Sequence, residues 1–310
     1  MIWLALLVAL ALLVTFPFLR ERTRRPMDDL TRKQAPGKFA QLSQGVTHYQ
    51  WIGPVRGPVA VCVHGLTTPS FVWLGIAKAM SQIGYRVLIY DLYGRGYSDR
   101  PDAPQDSAFF QQQLEELLAE QAVKGDITLL GYSMGGAIAT IYAAAHPDRI
   151  RQLVLLAPAG IKSGNNAMAR FIAETPMIGD WLMLALFPRN HRKGTELERT
   201  LPSSVDGIVD LQQAELAFQG FVPAVLASLR GLLSTRQDSE HRALYRAAIP
   251  VLAIWGRDDS VIPITAMGQL AEWNRNARQD VIDGAGHGLT YTHTDQILDT
   301  MRQTLRDGLN

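Results

Sequence analysis

Cysteine is almost absent from the 310-residue chain. With Cys62 alone, no intramolecular disulfide can form and every multi-cysteine metal site is excluded, which suits a reducing compartment. An excess of charge of one sign is also missing: 30 Lys and Arg stand against 29 Asp and Glu, a formal net charge of +1. No overall field would hold a nucleic-acid backbone, so nucleic-acid binding is not the expected task. Internal repeats and low-complexity tracts are lacking, and no Walker-type or dinucleotide glycine pattern follows a strand, so a nucleotide cofactor has no support. At 47% hydrophobic and 19% charged residues, what is present is a chain able to bury a large core.

Residues 1–19 carry no charged side chain, whereas Arg20 to Arg25 hold four arginines and one glutamate. As a helix, 19 residues rise roughly 28 Å, close to the thickness of bilayer hydrocarbon. A cleavable signal peptide would place the basic stretch before the apolar run and a small-residue cleavage site after it, and neither is found. Residues 1–19 are therefore expected to be an uncleaved membrane anchor, with a signal peptide or a docked helix as alternatives. The arginines after the run favour a cytoplasmic body for the protein. Residues 20–40, with Pro26, Pro36 and Gly37, read as a basic tether.

Further along, short runs rich in Val, Leu and Ile alternate with helical patterns, the signature of a mostly parallel sheet flanked by helices. The expected strands are Thr47–Ile52, Val59–Val63, Arg86–Tyr90, Ile127–Gly131, Gln152–Ala157, Val251–Trp255 and Gln279–Ile282. Continuous apolarity, as in Val59–Val63, implies strands buried on both faces, with Cys62 a small core residue. Between Gly160 and Ala248 helical stretches such as Trp181–Phe187 and Gln212–Leu233 follow one another without a strand. The expected organisation is an α/β core over 41–160 and 249–310, interrupted by a helical cap over 161–248.

The strand Ile127–Leu130 runs into Gly131-Tyr132-Ser133-Met134-Gly135-Gly136 and then an alanine-rich helix. A serine on such a tight strand-to-helix turn is pushed out of the sheet edge, and the glycines avoid side-chain collisions there. A serine hydroxyl is a weak nucleophile near neutral pH, so this reading requires a histidine base and an orienting carboxylate. Both follow later strands: Asp258 and Asp259 lie after Val251–Trp255, and His287 lies in Gly284-Ala285-Gly286-His287-Gly288. The chain order is serine, acid, histidine. His48, His146, His191 and His241 show no metal-ligand pattern and read as surface or partly buried residues; no metal or cofactor is expected. Glu115-Glu116 reads as a solvated helix face, and His293 as a helix-start surface histidine.

On these segments, with His64-Gly65-Leu66 after the second strand and Asp91-Leu92-Tyr93-Gly94-Arg95-Gly96-Tyr97-Ser98 after the third, the chain resembles the α/β-hydrolase superfamily from about residue 45 onward. The resemblance implies an α/β-hydrolase fold, Ser133 as nucleophile, His287 as base and Asp259 as acid, with Asp258 the alternative on the same loop. It implies an oxyanion hole from the backbone N–H groups of Leu66 and Met134 and a structural role for His64. The serine argues against the dehalogenase and epoxide-hydrolase branches, which use aspartate. Carbon–carbon bond hydrolases share the triad, but the tryptophan that often follows their histidine is Gly288 here. Gly286-His287-Gly288-Leu289 looks somewhat like cofactor-free haloperoxidases and perhydrolases, although Gly286 stands where those usually have proline. The anchor and cap look like a membrane-anchored monoacylglycerol lipase, implying a lipid or other small-molecule ester as substrate. A general aryl or short-chain esterase and a non-catalytic ligand-binding relative remain open; the complete triad favours an enzyme.

Overall fold

The computed structural model describes residues 1–162 and 167–307. Eight strands form one sheet: β1 (Lys38–Leu42), β2 (Gly45–Ile52), β3 (Val59–Val63), β4 (Arg86–Tyr90), β5 (Ile127–Tyr132), β6 (Ile150–Leu156), β7 (Val251–Gly256) and β8 (Arg278–Ile282). Their order is β1-β2-β4-β3-β5-β6-β7-β8. The pairs β1–β2 and β2–β4 are antiparallel and all others parallel.

The helices, in chain order, are α1 (Ile2–Arg22), α2 (Asp29–Arg32), α3 (Leu74–Gln82), α4 (Ser107–Glu120), α5 (Met134–Ala145), α6 (Ala167–Glu174), α7 (Ile178–Glu196), α8 (Ile208–Ala214), α9 (Phe221–Arg230), α10 (Asp238–Arg246), α11 (Ala266–Trp273), α12 (Leu289–Thr292) and α13 (Thr294–Asp307). Successive strand residues face opposite sides, so each continuous apolar run feeds two cores. Val61, Val63, Leu129, Leu153 and Leu155 pack with α4, α5, α10 and α11; Ala60, Cys62, Leu130, Val154 and Leu156 pack with α3, α12 and α13. Cys62 is buried, and burial pushes its thiol pKa up. Among the described residues between β6 and β7 there are only helices; there Ile172, Met183, Leu184, Phe221, Val225 and Leu226 of α6, α7 and α9 form a third apolar cluster.

Three regions differ from the sequence reading. β1 begins inside the stretch read as a tether and runs two residues past it; it is an edge strand with only Ala40 and Leu42 buried, so it lacks a continuous apolar run. The rest of 20–40 is also fixed to the body. Glu21 accepts a hydrogen bond from the Gly220 N–H, Arg25 pairs with the backbone around Phe218, and Arg32 forms an ion pair with Asp99. The stretch Gln212–Leu233 is not one helical run: it breaks at Gly220, whose φ of +86° suits glycine, and again at Gly231, where a Cβ would stand 2.3 Å from the Gln105 carbonyl oxygen. Residues 163–166 and 308–310 of the expected cap and core lie outside the described residues.

α1 is exposed along most of its length and long and apolar enough to cross a membrane. Pro17 inside it has no N–H, so the Leu13 carbonyl one turn earlier loses its helical donor. The Trp181 indole N–H of α7 donates to that carbonyl at 3.1 Å.

Candidate active site

The sheet delivers three polar side chains to the carboxyl ends of its parallel strands. Ser133 stands between β5 and α5 with φ 53° and ψ −120°, a conformation costly for a side-chain-bearing residue. Neighbouring backbone holds it there: its N–H donates to the Leu156 carbonyl, and its carbonyl accepts from the Gly136 and Ala159 N–H groups. The flanking glycines are sterically required. A Cβ on Gly131 would lie 2.4 Å from the Gly135 carbonyl oxygen, and one on Gly135 would lie 2.1 Å from that of Val63.

His287, in the loop after β8, brings Nε2 to 3.0 Å from Ser133 Oγ, and its Nδ1 lies 2.8 Å from Asp259 Oδ2. The other Asp259 oxygen accepts the Val261 and Ile262 N–H groups, both at 2.8 Å. An ionised carboxylate only accepts, so the Asp259 contact puts the imidazole proton on Nδ1 and leaves Nε2 free to accept from the serine hydroxyl. Tyr132 fixes the histidine loop by donating its hydroxyl to the His287 carbonyl at 2.9 Å. Asp258 is exposed, and His287 contacts Asp259 instead.

Met134 is the first residue of α5, so its N–H has no intrahelical acceptor. Leu66 lies in the loop after β3, whose Gly65 has room for no bulky group: a Cβ there would come 3.2 Å from that of Ser133. His64, fully buried, shapes this loop. Its Nε2 accepts from the Leu92 N–H at 2.8 Å, so Nδ1 carries the proton and donates to the Gly65 carbonyl, also at 2.8 Å. Burial pulls the His64 pKa down to about 4, keeping it neutral. In a trans peptide the N–H points opposite to the carbonyl, so holding the Gly65 carbonyl also directs the Leu66 N–H.

Asp91, buried after β4, accepts from the Ser70 and Tyr97 N–H groups and contacts His48 Nδ1 at 2.7 Å. Burial opposes its ionisation, yet His48 and these donors hold its pKa well below the ordinary carboxylate range. His48 and His241 are both buried, contrary to their reading as surface or partly buried residues; the partner of the first lies 43 positions away, and the second stacks on Trp273. His191 is half-buried against Phe187, and His146 contacts Glu115. Among the described residues no three His, Cys, Asp or Glu side chains are grouped to hold a metal ion. One feature of the site had little signal in the sequence: Arg95, fully buried, donates to the Leu66 carbonyl. Its place between Gly94 and Gly96, in the loop after the third expected strand, was the available hint.

A doubly covered, mostly parallel sheet with a serine, a histidine and an aspartate joined at its carboxyl edge defines a hydrolase of the α/β class. Residues 58–294 match the α/β-hydrolase fold family, and the chain belongs to it. It is 31% identical to a pimeloyl-[acyl-carrier protein] methyl ester esterase of Nitrosomonas europaea over 78% of this chain and 94% of that one. The esterase of the same name from Aliivibrio salmonicida is 27% identical over 84% and 97%. Among solved structures, a membrane phospholipase A described as a bacterial virulence factor shares the fold, with a TM-score of 0.73 and 21% identity, covering 100% of this chain and 97% of that one.

Proposed function

We propose that the chain is a serine hydrolase that cleaves carboxylic esters through an acyl-enzyme on Ser133. The observation that carries this reading is the continuous hydrogen-bonded line from Ser133 Oγ through His287 to Asp259 at a strained turn. His287 Nε2 takes the hydroxyl proton as Oγ attacks the ester carbonyl, and Asp259 stabilises the imidazolium. The Leu66 and Met134 N–H groups receive the charge that develops on the carbonyl oxygen, each contributing on the order of 3–4 kcal/mol. His287 then protonates the departing alkoxide, and a water activated by the same Nε2 releases the acid. Esterases among the relatives support this chemistry.

The substrate we propose is an apolar acyl ester such as a monoacylglycerol, drawn from a membrane in which α1 is embedded. The contact between Trp181 and Leu13 supports this. From Leu13 to Arg22 the helix rises only about 13 Å, so an α1 that spans a bilayer holds the start of α7 near acyl-chain depth. Met177 and Ile178 there, and Met168 and Phe171 on α6, expose their apolar side chains. The likeness to the membrane phospholipase A extends over the whole chain. Exposed Arg22 at the end of α1 and Arg25 after it favour a cytoplasmic body, which protease access from one face of sealed vesicles tests. The methyl ester esterase relatives favour a second reading, short or carrier-linked acyl esters with no need of the membrane.

Comparing kcat/KM for medium-chain monoacylglycerols in vesicles with that for p-nitrophenyl acetate separates the two readings. Trp181→Phe removes the indole N–H and leaves the Leu13 carbonyl unpaired, so vesicle turnover should fall by roughly 3- to 10-fold with the soluble ester unaffected. Preference for acetate, and equal effects of the variant on both, would sink the lipid reading.

A further inference from the structure

The guanidinium of Arg95 has no contact with any reacting group, yet it reaches both the oxyanion loop and the cap. It is fully buried and makes five hydrogen bonds, all to neutral oxygens. Nε donates to the Leu66 carbonyl at 2.9 Å, and one terminal nitrogen donates to the Tyr93 carbonyl and to Gln105 Oε1. The other terminal nitrogen grips α9, donating to Ser228 Oγ at 2.7 Å and to the Ala224 carbonyl at 3.2 Å. Ser228 in turn donates to the same Gln105 oxygen at 2.6 Å, closing a ring of polar groups. A buried guanidinium without a carboxylate on it is a poor source of stability. What its planar fork supplies is direction.

That direction bears on a single peptide. Leu66 is flanked by two peptide planes, and each has its carbonyl held: that of Gly65 by His64 and that of Leu66 by Arg95. With both planes fixed, the φ and ψ of Leu66 are fixed, and so is the line along which its N–H points. The far end of the lever is the cap. A Cβ on Gly94 would lie 2.4 Å from that of Ala224, so the loop and α9 are in direct contact. The Leu66 side chain packs against the same cap cluster as Phe221 and Val225. If α9 shifts, Arg95 loses two acceptors, and its hold on the Leu66 carbonyl loosens.

We propose that Arg95 is a positioning residue that aims the Leu66 N–H at the developing oxyanion, and that it does so only while α9 is seated on the Gly94–Gly96 loop. Cap closure over a substrate thereby completes the oxyanion hole. This inference rests on the reading of Ser133 as the acylated nucleophile and of Leu66 as an oxyanion donor.

The test uses the full-length protein, p-nitrophenyl butyrate and an alkyl trifluoromethyl ketone, which adds to a serine as a tetrahedral oxyanion. Arg95→Met should lower kcat by roughly 10- to 100-fold with KM within about 3-fold, and weaken the ketone by the same factor as kcat/KM. Arg95→Lys, which keeps the charge and loses the fork, should recover little. Ser228→Ala should show the same pattern at about 3- to 10-fold while staying folded, with a melting temperature lower by a few degrees, and it decides the matter alone if the Arg95 variants do not fold. A change confined to KM, or kcat and ketone affinity within about 2-fold of wild type in Ser228→Ala and in any folded Arg95 variant, would overturn the proposal. Fluorophosphonate labelling of the wild type keeps the two levels apart: no adduct on Ser133 overturns the underlying reading, whereas a normal adduct with silent Arg95 and Ser228 variants overturns only this one.

Discussion

The carboxyl edge of the sheet and the helices that cover it are held by different kinds of contact. Around Ser133 the backbone is jammed: Gly131, Gly135 and Gly136 have backbone or Pro158 within 3 Å of where a Cβ would stand, and the turn is pinned by main-chain hydrogen bonds to Leu156 and Ala159. The segment between β6 and β7 meets the body through scattered contacts: side-chain hydrogen bonds joining Arg95 to Ser228, Gln212 to Thr68 and Trp181 to Leu13, and main-chain hydrogen bonds at Arg25, Gln105 and Tyr291. Backbone close-packing has no intermediate state, so damage at the sheet edge is all or none. A covering held by separable hydrogen bonds can be loosened one contact at a time, and its damage is graded.

The largest expected effect sits at the jammed edge. Asp259→Asn should lower kcat by about 10³- to 10⁴-fold, because the amide can donate to Nδ1 and favours the wrong tautomer, with little change in melting temperature. Asp258→Asn, one residue away and exposed, should stay within about 3-fold. Comparable losses in the two variants would refute the choice of acid. A glycine pair sharpens the contrast next. Gly135→Ala forces a Cβ to 2.1 Å from the Val63 carbonyl oxygen and should cost several kcal/mol, at least about 3, or abolish soluble expression. Gly194→Ala, on α7 with nothing within 4 Å, should stabilise by about 0.5–1 kcal/mol through helix propensity. If calorimetry ranks them the other way, the jammed edge is not what holds Ser133.

A further effect, confined to acid solution, concerns pH. Burial pulls the His241 pKa down to about 4, from an ordinary value of 6.5. The unfolded state therefore binds the extra proton first, and this group's contribution is present above about pH 6.5 and lost as pH falls through about 4. His241→Leu should remove up to about 3 kcal/mol of that acid-side loss and flatten urea-derived stability between those limits, leaving the share due to His64. A parallel curve for the variant would mean that His241 takes up its proton as readily in the folded protein as in the unfolded chain.

How far the sequence could be read follows from the same contrast. Strands buried on both faces announce themselves as continuous apolar runs, so β3, β4 and β7 were legible almost to the residue. The serine turn was legible because steric jamming demands glycines at fixed local spacing. Contacts made by single side chains across long separations leave no such trace. Arg32 meets Asp99, Glu21 meets the Gly220 N–H, and His48 meets Asp91, so residues 20–40 looked like a free tether and His48 like an ordinary surface or partly buried ring. β1 escaped notice because an edge strand buries only alternate residues. Arg95 was visible as a letter between two glycines, but its reach to Ser228, 133 positions away, exists only in the fold.

The most direct test of the central claim is to treat the full-length protein with a fluorophosphonate, digest it and map the adduct by mass spectrometry. Ser133 is seated against His287 by the fold alone, so a single adduct is expected on the peptide containing Ser133, none in Ser133→Ala, and slow labelling in His287→Ala. An adduct on any other residue, or a Ser133→Ala protein that hydrolyses p-nitrophenyl butyrate at the wild-type rate, would contradict it.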